Sequence, residues 1–241
     1  ARRRAQGNYL RLPGMNRRKQ RGFLLNPYRF GNGVAFSNVA LLLHCDGTNG
    51  STTVTDSSTY GHTVTANGNA ALSTGQKKFG TASIAFDGTG DYLSIPDSAA
   101  FFMDLGEFTI EFFLRASALG SRAGLVQQTN SAGQNTATSF FIELNTSSKI
   151  SAFVAYGSSN TTEIESSVLS TNTWYHVALV RLGNTLYLYL DGVSQGSSSI
   201  GSNSLNNSSE DIRIGQSPFQ STGLNGYMDE IRIVKGVALY A

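Results

Sequence analysis

From Val39 onward the chain is a succession of short apolar or alternating runs separated by Gly, Asn, Asp, Ser and Thr, the pattern of many strands joined by tight turns. The clearest alternation covers residues 173–181. Trp174, His176, Ala178 and Val180 fall on one face, and Tyr175, Val177, Leu179 and Arg181 on the other. After a turn at Leu182-Gly183-Asn184, residues 186–190 return as a second strand that closes on Asp191-Gly192, so the two form a hairpin. Further strands are predicted at 83–86, 92–95, 108–115, 124–128, 139–144, 150–156, 161–166, 211–214 and 226–234. Asp46-Gly47, Asn67-Gly68, Asp87-Gly88 and Asn225-Gly226 supply turn chemistry between them. The one helical signal is a turn around 98–103. A run of strands with so little helix implies two stacked antiparallel sheets or a barrel, and no repeat of 20–50 residues suggests a propeller or solenoid.

The first 35 residues break this pattern. They have no sustained period, they carry Pro13, Pro27 and five glycines, and they cannot bury a core. Their charge is as distinct as their texture: nine of the 18 basic residues lie here, and no acidic residue occurs before Asp46. The remainder holds nine basic and 16 acidic residues, a net −7 hidden beneath the overall +2. Two physical classes follow: an extended basic arm over residues 1–38 and a folded all-β domain over 39–241. Apolar residues are interspersed with the charges, so the arm is expected to order against a partner. Arg2, Arg3, Arg4, Arg11, Arg17, Arg18, Lys19, Arg21 and Arg29 would make charge-assisted contacts, with Phe23, Leu24, Leu25, Tyr28 and Phe30 as anchors. A solvated basic tail is the plainer alternative. Nucleic acid is a less favoured partner, since no recognition module accompanies the arm and the rest of the chain is acidic.

A folded segment of about 200 residues removes roughly 70% of its unfolded surface from water, enough for a core without staples. Cys45 is the single cysteine, which excludes an intrachain disulfide, and its place beside Leu41-Leu42-Leu43 points to a buried inert thiol. No stretch reaches the ~20 apolar residues needed to span a bilayer. Arg2-Arg3-Arg4 precedes no apolar core of a secretory signal, so export, if any, is expected by release inside an assembled particle.

Several motifs occur in a fixed order: Leu41-Leu42-Leu43-His44-Cys45-Asp46-Gly47, Asp56-Ser57-Ser58 with Gly61-His62, Lys78-Phe79-Gly80, and Ser83 through Phe86-Asp87-Gly88-Thr89-Gly90-Asp91-Tyr92-Leu93. Phe108 to Arg115, Trp174-Tyr175-His176-Val177-Ala178, Leu190-Asp191-Gly192 and Gly226-Tyr227-Met228-Asp229-Glu230-Ile231-Arg232-Ile233 follow. Over about 200 residues the chain resembles laminin G-like, concanavalin A-like lectin domains. That resemblance implies a two-sheet antiparallel jelly-roll sandwich. The Leu-Leu-Leu-His opening and the Lys235-Gly236-Val237-Ala238-Leu239-Tyr240 close are similar to versions found in virion proteins of tailed bacteriophages. Related domains often continue past such a close into a Pro-rich tail.

A glycosidase needs two carboxylates flanking the scissile bond. Glu163 and Glu165 are the nearest pair, with Glu143 and Glu111 elsewhere, but no Glu-x-Asp-x-x-Glu pattern occurs, and Asp229 and Glu230 should face opposite sides of a strand. His44, His62 and His176 are the only histidines and no Gly-x-Ser-x-Gly elbow accompanies them. The resemblance implies a possible Ca²⁺ at a sheet rim, with Asp46, Asp56, Asp87, Asp91 and Asp229 as candidate ligands. The alternative is that they cap turns or pair with Arg213 and Arg232. Tyr156, Trp174, Tyr175, Tyr187, Tyr189 and Tyr227 could serve a sugar, although alternating aromatics on strands are more often core, and no sugar site is defined by spacing. The expectation is therefore a non-enzymatic virion structural protein, at the head or tail, anchored through residues 1–35 to other virion proteins. A cyclic homo-oligomer would match the symmetry of such a particle. An adhesin that recognises host-surface glycans is the alternative. No membrane partner is expected.

Overall fold

The computed structural model describes residues 35–132, 137–157, 160–220 and 222–240. The residues assigned to particle anchoring, Arg2 to Phe30, lie outside the described residues.

Fifteen strands and two short 3-10 turns make up the described fold. The first sheet contains β1 (Val39–Leu43), β3 (Ala71–Ser73), β4 (Ser83–Asp87), β6 (Phe108–Ala116), β11 (Tyr175–Leu182), β12 (Thr185–Leu190), β13 (Val193–Ser199) and β15 (Asn225–Lys235). Its order is β13-β12-β11-β6-β15-β4-β3, and β1 joins β15 beside β4. The second sheet runs β10-β9-β8-β7-β14-β5-β2. Its members are β2 (Thr65–Asn67), β5 (Tyr92–Ile95), β7 (Ala123–Gln128), β8 (Phe140–Leu144), β9 (Lys149–Tyr156), β10 (Asn160–Val168) and β14 (Ile212–Ile214). Every pairing is antiparallel, and the two sheets stack as a jelly-roll sandwich.

Alternation decides which side chains fill the space between the sheets. Phe108, Ile110, Phe112 and Leu114 of β6, Val177 and Leu179 of β11, and Met228, Ile231 and Ile233 of β15 meet Phe140, Ile142, Leu144, Ile150, Val154, Ile212 and Ile214 of the second sheet in one continuous core. Each such buried side chain contributes about 1.5–3 kcal/mol relative to exposure.

Both outer faces are also covered. Residues 236–240 cross the first sheet: Gly236 N donates to Glu107 O (2.7 Å), Leu239 N to Thr109 Oγ1 (3.0 Å), and Val237 and Leu239 pack on Val39, Leu42 and Val234. Residues 216–220 cross the second sheet: Gln127 Nε2 donates to Gln216 O (2.8 Å), and Phe219 meets Phe141 edge-on at 5.4 Å. This double cover explains why β8 is buried at all five positions and does not read as a simple polar-apolar alternation.

Most predicted strands fall within a residue or two of the observed ones. β2, β3 and β13 escape the apolar pattern; all three are edge strands, and β13 reads Val-Ser-Gln-Gly-Ser-Ser-Ser. The 3-10 turn Ala99–Phe101 stands where a helical turn was expected, capped by Ser98 Oγ on Ala100 N. Two expectations are corrected. Trp174 precedes β11, which begins at Tyr175, so it shares no strand face with His176. Between Asp229 and Arg232 the β15 register shifts in a bulge, with Glu230 at φ 48°, so Asp229 and Glu230 do not follow strand alternation.

Candidate functional site

The bulge in β15 sets Arg232 opposite Glu111 of β6, and His176 of β11 reaches the same carboxylate. Glu111 is 1% exposed. Its Oε1 accepts Arg232, and its Oε2 accepts His176 Nε2 (3.0 Å) and the Tyr240 hydroxyl. Burial alone would raise the Glu111 carboxyl, but His176, Arg232 and Tyr240 hold it below the ordinary range. Burial, followed by the Glu111 charge, pushes the Tyr240 phenol up. Among the described residues, buried His176 Nδ1 has no hydrogen-bond partner. In this cluster the Tyr240 hydroxyl donates to the Glu111 carboxylate. The bond pins residues 236–240 to the sheet.

Two of the other candidate carboxylates are engaged elsewhere. Glu143 of β8 accepts Arg122 Nη2 (2.6 Å) and Gln220 Nε2 (2.6 Å). Glu165 of β10 accepts Lys149 Nζ (3.0 Å) and Asn145 Nδ2 (2.7 Å). Glu163 shares the β10 face with Glu165 and lies opposite Phe153 of β9. A glycosidase pair would need both groups free to exchange protons with substrate, and Glu165 is committed to a lysine.

The five aspartates proposed for Ca²⁺ act as turn hubs. Asp46 accepts the backbone N–H and hydroxyl of Thr81, and Gly80 (φ 56°) leaves room there, since a Cβ would strike that carboxylate. Asp87 accepts Thr89 N (2.8 Å), and buried Asp91 accepts Asp87 N (2.8 Å) and Asn69 N. Asp56 collects Leu42 N, Ser58 N and Oγ, and His62 N and Nδ1. Asp229 accepts Lys78 N (2.7 Å) and Phe79 N (3.0 Å); burial, with the Glu230 charge adding to it, pushes its carboxyl up to about 7. Among the described residues no three His, Cys, Asp or Glu side chains are grouped as metal ligands, and the five aspartates lie in separate turns. The expected pairings differ too. Arg232 pairs with Glu111, and Arg213 lies over the Tyr92 ring at 4.4 Å. Cys45 is buried, and burial pushes its thiol well up, as expected of an inert group.

The aromatic candidates are scattered. Tyr156 and Tyr175 pack against the core, Trp174 lies in the loop before β11, and Tyr227 sits by Arg115 at 5.8 Å. Tyr187 and Tyr189 stack at 6.2 Å on the first sheet's outer face, where Tyr189 adjoins Tyr240.

A concave feature lies instead at the rim where β4 ends and β15 begins. Three turns far apart in sequence enclose a cleft of about 260 Å³, lined by Asp87, Gly88, Thr89, Ala118, Ser121, Ala123, Leu144, Thr222, Gly223 and Asn225. Gly223 N donates to Gly88 O (3.0 Å), and Thr222 Oγ1 to Arg122 O (2.6 Å), which fixes the turns against one another. Ala123 and Leu144 are buried in its floor. Thr89, Ser121 and Asn225, all exposed, line it beside Asp87, and their side chains make no hydrogen bond within the described residues. An apolar floor with a few convergent polar groups is the composition of a small-molecule site. In the sequence Asp87 reads as a turn residue and a candidate Ca²⁺ ligand, and Asn225 as a turn residue.

Two antiparallel sheets with a polar cleft at one rim define a lectin-like β-sandwich. A laminin G family model, described as the concanavalin A-like lectin/glucanases superfamily, matches residues 87–239, and the chain belongs to that superfamily. No curated protein matches the chain. Among solved structures, the binding domain of Paraclostridial Mosquitocidal Protein 1 is similar with TM-score 0.66 and 16% identity, over 85% of this chain and 50% of that one. The receptor binding domain of botulinum neurotoxin D gives 0.64 and 15%, over 85% and 51%, and the botulinum neurotoxin serotype G binding domain 0.63 and 15%, over 84% and 49%. The chain thus spans about half the length of these structures, and at such identities they share its fold.

Proposed function

We propose that the sandwich is a non-catalytic carbohydrate-binding module, displayed on a bacteriophage particle to which the basic arm attaches it. The observation that carries the binding role is the rim cleft, where uncommitted hydroxyl and amide groups stand over an apolar floor. Sugars offer the complementary surface, with hydroxyls at the edge and C–H groups on the faces. The engagement of the buried Glu111 and Glu143 by internal partners supports a binding rather than a hydrolytic role. The same fold makes up about half of the toxin binding domains named above. An array of bacterial surface polysaccharides, probed with the full chain in the presence and absence of Ca²⁺, tests this. Binding that weakens in Asn225→Ala is the expected result, and a blank array would refute it.

Attachment to a virion is supported by the segregation of nine basic residues ahead of the first acid, and by the phage-like opening and close. A homo-oligomer on the particle is part of this reading. Removal of residues 1–35 should leave a folded domain that no longer joins particles. Normal incorporation of the truncated chain would overturn this part of the proposal.

A further inference from the structure

At the end of the sandwich opposite the cleft, three rings are stacked from the core outward. Phe101 is fully buried, His62 lies on it at 4.7 Å and 28°, and Tyr60 lies on His62 at 5.5 Å and 21°. Tyr60 is 51% exposed. The position follows from β15. Asn225, its first residue, lines the cleft, whereas the Nζ of Lys235, its last, donates to Ala99 O in the turn that carries Phe101. Eleven strand residues separate the two ends by about 33 Å.

A single exposed ring needs no explanation in itself. Tyr60 differs in being held. The loop that carries it is organised on the buried Asp56 carboxylate, which accepts five hydrogen bonds between 2.8 and 3.0 Å. Tyr60 N adds a bond to Ser58 Oγ (3.2 Å). Burial would raise the Asp56 carboxyl, but the N–H groups of Ser58, His62 and Leu42 and the His62 ring hold it below the ordinary range. The Asp56 carboxylate and the His62 Nδ1 atom lie 2.8 Å apart, which fixes the orientation of the ring. A ring fixed in this way loses little freedom on contact with a ligand. The face of Tyr60 turned away from His62 is electron-rich.

We infer that Tyr60 and His62 form a second saccharide-binding site, in which the C–H face of a pyranose stacks on Tyr60 and one of its hydroxyls hydrogen-bonds to the His62 ring. The inference rests on the reading of the sandwich as a carbohydrate-binding module, and it makes that module bivalent, with one site at each end. The test uses the full chain, an array of bacterial O-antigen and capsular polysaccharides, and three variants: Tyr60→Ala, Tyr60→Phe and Asn225→Ala. The expected result is a set of saccharides whose binding falls tenfold or more in Tyr60→Ala but is retained in Tyr60→Phe, with an unchanged unfolding midpoint in both. His62 imidazole resonances should shift when those saccharides are added. If Tyr60→Ala binds every saccharide as the unaltered chain does while Asn225→Ala loses binding, the second site is wrong and the cleft stands. If the unaltered chain binds none, both are wrong.

Discussion

The outer faces of the two sheets pose one structural problem and meet it with opposite chemistry. A crossing segment covers each. Over the first sheet the contact centres on a buried ionic cluster, in which Glu111 gathers His176, Arg232 and Tyr240. Over the second it centres on phenyl rings: Phe141 stacks on Phe153 at 4.7 Å and meets Phe219 edge-on, with the half-exposed Arg122 on Glu143 at the margin. Buried charge fixes one arrangement, because any slip strands an ion away from water. Rings tolerate graded displacement, since each lost contact is small. The first face should therefore fail abruptly and the second gradually.

Removing the centre of the ionic face should have the largest effect. Glu111→Ala leaves Arg232 and His176 buried without their carboxylate and should cost about 3–5 kcal/mol in urea unfolding. A loss under about 1 kcal/mol would show that the cluster is not the keystone of that face.

The next effect is one of pH and involves Asp229, opposite Phe113 on the same outer face. Its folded value of about 7 lies above the ordinary 3.8, so the neutral form is favoured in the fold. That stability is complete below about pH 4 and is lost as pH rises through 7, at most ~4 kcal/mol for a shift of this size. His44, raised chiefly by its hydrogen bond to Glu230 at 2.9 Å, acts in the same sense above its ordinary 6.5. Glu111 and Asp56 are lowered and act oppositely, losing their contribution as pH falls through the carboxylate range. Stability should peak in mildly acidic solution. Asp229→Asn should flatten the decline between pH 4 and 8, as thermal unfolding across that range would show; an unaltered slope would assign the decline elsewhere.

On the second face, Phe219→Ala should cost about 1–2 kcal/mol, below the 3–5 of a fully buried phenylalanine. Its unfolding should stay cooperative. A cost equal to that of Glu111→Ala would erase the contrast between the faces. Smallest of all, Lys149→Met removes the exposed pair with Glu165 and should change stability by no more than about 0.5 kcal/mol.

Strands that send apolar side chains into the core, such as β5, β6 and β11, were legible because burial imposes the two-residue period that the sequence displays. The edge strands β2, β3 and β13 were not, because few of their positions meet the core and their hydrogen bonds leave no trace in composition. The crossing segments had no period to read. Both sites depend on contacts across long separations. The cleft joins turns near residues 88, 120 and 223, and Glu111 finds Arg232 across 121 residues, whereas an aspartate partner for Arg232 had been expected. Within the ring stack, Asp56 and His62 were visible as a motif, but only the fold shows Phe101 beneath them.

The place of β1 has a consequence for synthesis. Its apolar run pairs with no named strand but β15, which leaves the ribosome about 190 residues later. At roughly 5–20 residues per second, Leu41, Leu42 and Leu43 wait on the order of 10–40 s for their partner. Until then the nascent chain carries an unpaired hydrophobic strand, a natural target for chaperones and for aggregation with its neighbours on the polysome. β15, the last of the described strands, closes the first sheet from its middle, so the sheet is completed in one late step rather than grown from its beginning.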